Sequence, residues 1–183
     1  CIGAGEDCNV LGYIVESQFG APGTVINDKP ILGGFEWFKT QPPDTYTVCG
    51  VGAPEVRRRL TLLAEQNGAR FGNIIHPNAV VTRRVTLGEG VVITAGCIFT
   101  NQMRLGNHVH VNLDCTIGHD AVLEDYATLA PGTHVSGNVT LGEGAYVGTG
   151  ANIIEKKKIG AWSVVGAGSV VTGDVPPNTT LVG

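Results

Sequence analysis

The sequence predicts a parallel β-helix built from six-residue repeats and preceded by a small α/β segment. Three observations carry that prediction. An apolar residue stands at every sixth position from Ile75 to Val171, a second rank of mostly small residues stands two positions before most of these, and the first seventy residues follow a different, mixed pattern.

The six-residue series runs Ile75, Val81, Leu87, Ile93, Phe99, Leu105, Val111, Ile117, Leu123, Leu129, Val135, Leu141, Val147, Ile153, Ile159, Val165 and Val171. With about a third of positions drawn from Val, Ile, Leu and Phe, so unbroken a series arises by chance in fewer than roughly one frame in ten million. The second rank includes Val91, Cys97, Met103, Val109, Cys115, Ala121, Ala127, Thr133, Val139, Ala145 and Ala151. Two inward residues separated by one outward residue make a short strand, because side chains alternate faces, and the other three residues of each hexad must turn. Glycine follows the large apolar residue at 88, 106, 118, 142, 148, 160 and 166, where a turn demands either positive φ or close approach between coils. Three hexads close a triangular coil, and stacked coils enclose a continuous apolar interior.

The segment before residue 73 reads as mixed α/β. Strands are expected at 11–15 (LGYIV) and 45–51 (TYTVCGV), and a helix over 54–68, which Gly68 stops. The order strand, GVG, helix, with Pro54 in the first turn, places backbone N–H groups at a helix start, where a nucleotide phosphate can bind. A plain βα connection explains the same residues equally well.

Composition fits this architecture and excludes others. Glycine, at 27 of 183 residues, is about twice its usual share, and only 15% of residues are charged, which suits a turn-rich β fold. The formal charge is −4 and the basic residues form no stripe, so no nucleic-acid partner is expected. No apolar run is long enough to span a membrane, and no signal peptide opens the chain. The five cysteines (1, 8, 49, 97 and 115) include no CxxC pair and no zinc-like spacing with histidine. Free thiols in a reducing cytoplasm are expected, with Cys97 and Cys115 buried and stacked one coil apart.

The α/β segment, the junction NIIHPNAVV at 73–81 and the run TIGHDAVLEDYATLAPGTHVSGNVTLGEGAYVGTGA together resemble the sialic acid O-acetyltransferase and sugar-nucleotide amino-sugar N-acetyltransferase family over nearly the whole chain. The resemblance implies a left-handed coil, a Rossmann-like nucleotide-sugar domain at 1–72, an acetyl-CoA-binding β-helix at 73–183, and a homotrimer with acetyl-CoA between neighbouring coils. Two departures concern the first domain: its glycine-rich first βα turn is missing or unrecognisable, which leaves open whether the domain is complete, and the family's acidic pair appears as Val15-Glu16. The chain also begins at Cys1 without a leading strand, and its tail, GAWSVVGAGSVVTGDVPPNTTLVG, reads as cut at Gly183.

His119, in the turn after Ile117-Gly118, lies outside both inward ranks and matches the family's catalytic histidine. Acetyl transfer needs a group that takes a proton as the acceptor attacks the thioester, and histidine suits that task near neutral pH. Asp120 corresponds to the acidic partner that orients the imidazole. A turn histidine alone is an ordinary exposed residue; the GHD context gives His119 its role. Asn112 aligns with a substrate-side polar residue, or stabilises a turn. Gly137, Thr149 and Ala167 align with positions that meet the thioester and pantetheine, although coil turns explain the glycine too. Lys156, Lys157 and Lys158 reach CoA phosphates or form a solvated loop.

The resulting expectation is an acetyltransferase moving an acetyl group from acetyl-CoA to an amino sugar carried on a nucleotide, with O-acetylation of a sialic-acid-like sugar as the alternative. No metal is expected. His108, His110 and His134 raise a β-helical hydratase with zinc as a rival class, but their spacing does not match its ligands. A non-catalytic trimeric scaffold is the third class.

Overall fold

The computed structural model describes residues 9–183, so Cys1, Cys8 and the sequence before Asn9 lie outside the described residues. From Ile74 onward the chain winds through short parallel strands into three sheets of seven, six and five strands, one on each face of a triangular coil. Successive strands on a face are eighteen residues apart: His110 pairs with Val92 and Thr128, Thr116 with Ile98 and His134, Val122 with Arg104 and Thr140. Each coil hydrogen-bonds to the next through parallel ladders, as in Val92 N–H to Val109 O at 2.9 Å and His110 N–H to Ala127 O at 3.0 Å.

Both apolar ranks point inward. From Val91 to Val171 they form one contiguous core, with Ile93, Phe99, Leu105, Val111, Leu123, Leu129 and Leu141 buried, while Ile75, Val81 and Leu87 cap its open end half-buried. Cys97 and Cys115 are both buried free thiols, each within hydrogen-bonding reach of a carbonyl of the following coil, Asn112 O and Ala130 O. The repeat shortens at its end: the step from Val171 to the next inward residue, Val175, is four positions in place of six, so Ile159 bridges to Val175 and Val164 pairs with Thr180, sixteen residues on.

Each corner has a division of labour. The first corner residue is often glycine because the coils nearly touch: a Cβ on Gly118 would lie 2.5 Å from the amide nitrogen of Gly137. Positive φ falls instead on the third corner residue, including Gln102, His108, Asp114, Asp120, Tyr126, Asn138 and Lys156. Of the two reasons for the glycines at 88, 106, 118, 142, 148, 160 and 166, close approach is therefore the operative one.

The segment before the coil is small. β1 (Tyr13–Ile14) pairs in parallel with β3 (Lys29–Gly33), and β2 (Val25–Ile26) pairs antiparallel with β3. Asn27 and Asp28, both with positive φ, make the two-residue hairpin turn between β2 and β3. The expected strand at 45–51 is reduced to one bridge, Thr47 with Phe71, since the neighbouring stretch offers no further paired backbone. The expected helix forms as α1 (Pro54–Gln66), with Pro54 in its first turn and Gly68 left-handed just beyond its end. Its stripe Arg57, Thr61 and Ala64 is buried. Among the described residues no helix is long and apolar enough to cross a membrane.

Candidate active site

His119 is the middle residue of a corner, between the strand Thr116–Ile117 and the strand Val122–Leu123. The strand before it sends Ile117 inward, and the left-handed Asp120 after it reverses the chain, so the imidazole stands out from the coil, about three-fifths exposed. Its Nδ1 lies 2.8 Å from Oδ2 of Asp120. With Nδ1 protonated and donating to the carboxylate, the lone pair resides on Nε2, the nitrogen positioned to accept a proton. One coil along the same corner, Gly137 faces the ring, and a Cβ there would come within 2.7 Å of Nε2. The absence of a side chain at Gly137 leaves that nitrogen open.

Asn112, Thr149 and Ala167 stand on a different corner, which follows the strands His110–Val111, Tyr146–Val147 and Val164–Val165. Thr149 and Ala167 are exposed and one coil apart, joined through Gly168 N–H to Thr149 O at 2.8 Å. The Asn112 amide donates to Leu129 O at 2.8 Å, tying two coils together. A whole face of the prism separates this corner from His119, so one chain does not bring the six residues together. Lys157 occupies the inward rank half-buried, and Lys156 and Lys158 are exposed.

His108 and His110 are buried between the coil and the N-terminal segment, whereas His134 is exposed on another face and lies 2.8 Å from Thr116 Oγ1. Burial pushes the His108 imidazole down, and burial together with the Arg57 charge depresses His110 to about 3. Both are therefore neutral near pH 7.

A cavity of about 380 Å³ opens in the N-terminal segment. It is lined by the end of β1 at Ile14 and Val15, by Val48 to Val51, and by Leu60 and Thr61 of α1. At its rim Arg59 donates both Nη1 and Nη2 to the carboxylate of Glu16, at 2.7 and 2.8 Å, which holds the Glu16 carboxyl below the usual range. Gly50 and Val51 of the GVG stretch read from the sequence thus line a real cavity, and Gly50 has open space where a Cβ would be.

Arg57 escaped the sequence reading. It is fully buried, and its guanidinium donates to Val51 O, Gly52 O, His108 O, Tyr126 O and Thr128 Oγ1. Within the run Arg57-Arg58-Arg59 it reads as part of a solvated helix face; its spacing of four and seven from Thr61 and Ala64 is the signal that marks it as inward.

No family model matches the sequence, and no curated protein matches it significantly. Solved structures do. The perosamine N-acetyltransferase of Caulobacter crescentus, crystallised as a histidine-to-asparagine variant in complex with CoA and GDP-perosamine, is 31% identical, with a TM-score of 0.84 over 88% of this chain and 78% of that one. The acetyltransferase domain of PglB from Neisseria gonorrhoeae, in complex with acetyl coenzyme A, is 31% identical, with a TM-score of 0.83 over 90% of this chain and 80% of that one. WeeI from Acinetobacter baumannii is 33% identical, with a TM-score of 0.82 over 88% of this chain and 79% of that one. Identity at this level across most of both chains makes this chain a member of the hexapeptide-repeat acetyltransferases that use acetyl-CoA to acetylate amino sugars carried on nucleotides.

Proposed function

We propose that the protein transfers the acetyl group of acetyl-CoA to the amino group of a nucleotide-linked sugar, with His119 as general base and Asp120 as its orienting partner. The observation that carries this reading is the exposed His119 ring, bonded through Nδ1 to Asp120 and open at Nε2 above Gly137. The amine attacks the thioester carbonyl, its proton passes to Nε2, the C–S bond breaks, and the proton returns to the departing thiolate or to solvent. Asp120 keeps the imidazole in the required tautomer and stabilises its cation.

The acceptor's nucleotide is assigned to the cavity of the N-terminal segment, read as a small Rossmann-like domain over 1–72; the β-helix over 73–183, read as left-handed, takes acetyl-CoA. Ligand pockets of about 300–1,000 Å³ are typical for small molecules. The similar perosamine N-acetyltransferase was crystallised with GDP-perosamine and CoA, which favours a nucleotide-linked amino sugar over a free one. Gly137, Thr149 and Ala167 are proposed to line the path of acetyl-CoA and Asn112 the substrate side. Because Thr149 and Ala167 share no corner with His119, a second copy must supply one wall, and a homotrimer is the proposed assembly. The free thiols Cys49, Cys97 and Cys115 suit a cytoplasmic protein.

The test is CoA release from acetyl-CoA across a panel of nucleotide-linked amino sugars and free sialic acids, comparing wild type with His119→Ala. Turnover of an amino sugar that falls about 10²–10⁴-fold in the variant is expected. Transfer to a sialic acid alone would replace the N-transfer reading, unchanged turnover in the variant would remove His119 from the mechanism, and no acetyl-CoA binding would leave a scaffold. Sedimentation of a monomer at working concentration would overturn the trimer.

A further inference from the structure

The guanidinium of Arg57 joins three stretches of chain that are far apart in sequence. Nε donates to His108 O at 2.9 Å, Nη1 to Val51 O and Gly52 O at 2.9 Å each, and Nη2 to Tyr126 O at 2.6 Å and Thr128 Oγ1 at 2.7 Å. An arginine has five N–H donors, and here each has one acceptor. No carboxylate is among them, so the charge is held by carbonyl dipoles in place of its water shell, and burial lowers the group only to about 10, leaving it cationic at neutral pH.

These bonds join the two working parts of the molecule. Val51 lines the cavity, and His108, Tyr126 and Thr128 belong to two successive coils of the β-helix. Among the described residues, every hydrogen bond shorter than 3 Å between the segment before residue 73 and the coil is donated by Arg57. Longer polar contacts across the junction include Thr61 to Tyr126 Oη at 3.4 Å, Thr128 Oγ1 to Gly52 O at 3.5 Å, Arg58 to Glu143 at 3.5 Å and Glu65 to His108 at 3.5 Å. The neighbours of the guanidinium are stiff, since the His108 ring is wedged between Phe71 and Tyr126. Arg58 and Arg59, on the same helix, are about half exposed.

We propose that Arg57 is a positioning residue for the acetyl acceptor: by fixing the cavity wall at Val51 against the coil, it sets where the sugar end of a cavity-bound nucleotide arrives relative to the acetyl-transfer corner. The inference rests on the reading of the cavity as the acceptor's nucleotide site. Lysine, with one nitrogen and three donors, cannot span acceptors spread over a loop and two coils, so the conservative variant fails too. A misplacement of about 1 Å at a reacting centre costs on the order of 100-fold.

The experiment compares wild type, Arg57→Lys, Arg57→Met and Thr128→Val. The readouts are kcat/KM for the best nucleotide-linked amino sugar of the panel, the KM for acetyl-CoA, slow transfer to free glucosamine, and calorimetric binding of that sugar's nucleoside diphosphate. The expected result is a loss of about 100-fold in kcat/KM for the nucleotide-linked sugar in both Arg57 variants and about tenfold in Thr128→Val. Acetyl-CoA KM, glucosamine transfer and nucleotide affinity stay within about threefold of wild type. Equal losses on glucosamine and on the nucleotide-linked sugar would reduce Arg57 to a fold-holding residue and overturn the proposal, as would unchanged kcat/KM in the folded variants. Should the Arg57 variants not fold, Thr128→Val decides by the same criteria. A wild type that binds no nucleoside diphosphate yet acetylates a free sugar would refute the cavity reading itself, a result distinct from failure of the positioning role.

Discussion

Gly137 sits one coil above His119 with its missing side chain directed at the imidazole: a Cβ would lie 2.7 Å from Nε2 and 2.9 Å from Cε1. The backbone at Gly137 is outside the left-handed region, so alanine is accepted without strain there, and the exposed ring is what has to move. Gly137→Ala is expected to lower kcat/KM by about tenfold or more while the unfolding free energy in urea shifts by no more than about 0.5 kcal/mol, as for an ordinary surface change. A fully active variant would show that Nε2 is not the working nitrogen.

Asp120 combines a left-handed backbone, φ 59°, with its bond to His119. Asparagine tolerates that conformation and keeps the shape, so Asp120→Asn isolates the carboxylate. Its kcat should fall about 10–100-fold at constant acetyl-CoA KM and constant stability, whereas Asp120→Ala should also lose roughly 1–2 kcal/mol from the left-handed backbone. Steady-state kinetics with urea denaturation separates the two effects.

His110 makes stability depend on pH. Its folded value of about 3 lies below the ordinary 6.5, through burial and the Arg57 charge, with a hydrogen bond to the Cys49 backbone opposing the shift and His108, its other near titratable neighbour, adding to it. The unfolded chain therefore binds a proton that the folded chain refuses. The contribution is complete above about pH 6.5 and is lost as pH falls toward 3, to a limit on the order of 5 kcal/mol. The unfolding free energy of wild type should decline through that window, and His110→Phe should flatten the decline; identical slopes would assign the acid lability elsewhere.

Leu129 is fully buried in the coil between Val111 and Val147, its partners on the neighbouring strands. Leu129→Ala should cost about 2–5 kcal/mol in chemical denaturation, because rigid coils above and below cannot collapse into the cavity. A loss under 1 kcal/mol would mean that the coil adjusts locally.

The core and the outward placement of His119 were legible because a solenoid turns three-dimensional proximity into sequence arithmetic. Residues eighteen apart are neighbours, which is why Cys97 lies beneath Cys115 and His119 beneath Gly137. The helix Pro54–Gln66 was legible from its own start and stop residues. The strand expected at 45–51 was not, because strand formation depends on a partner, and only Thr47 finds one. The split of the candidate residues between two corners follows from counting hexads, but the whole face of the prism that lies between them becomes plain only when the prism is built.

By itself the sequence determined the coil, its two inward ranks, its eighteen-residue register and the exposure of the corner that carries His119, all consequences of a local rule repeated without interruption. Tertiary structure alone decided the junction. The docking of α1 on the coil obeys no period, so although its spacing from Thr61 and Ala64 marks Arg57 as inward, the carbonyls of residues 51, 52, 108 and 126 that surround it could not be read from the sequence. Backbone oxygens attract a guanidinium whatever their side chains, and only the meeting of three distant segments puts them around one charge.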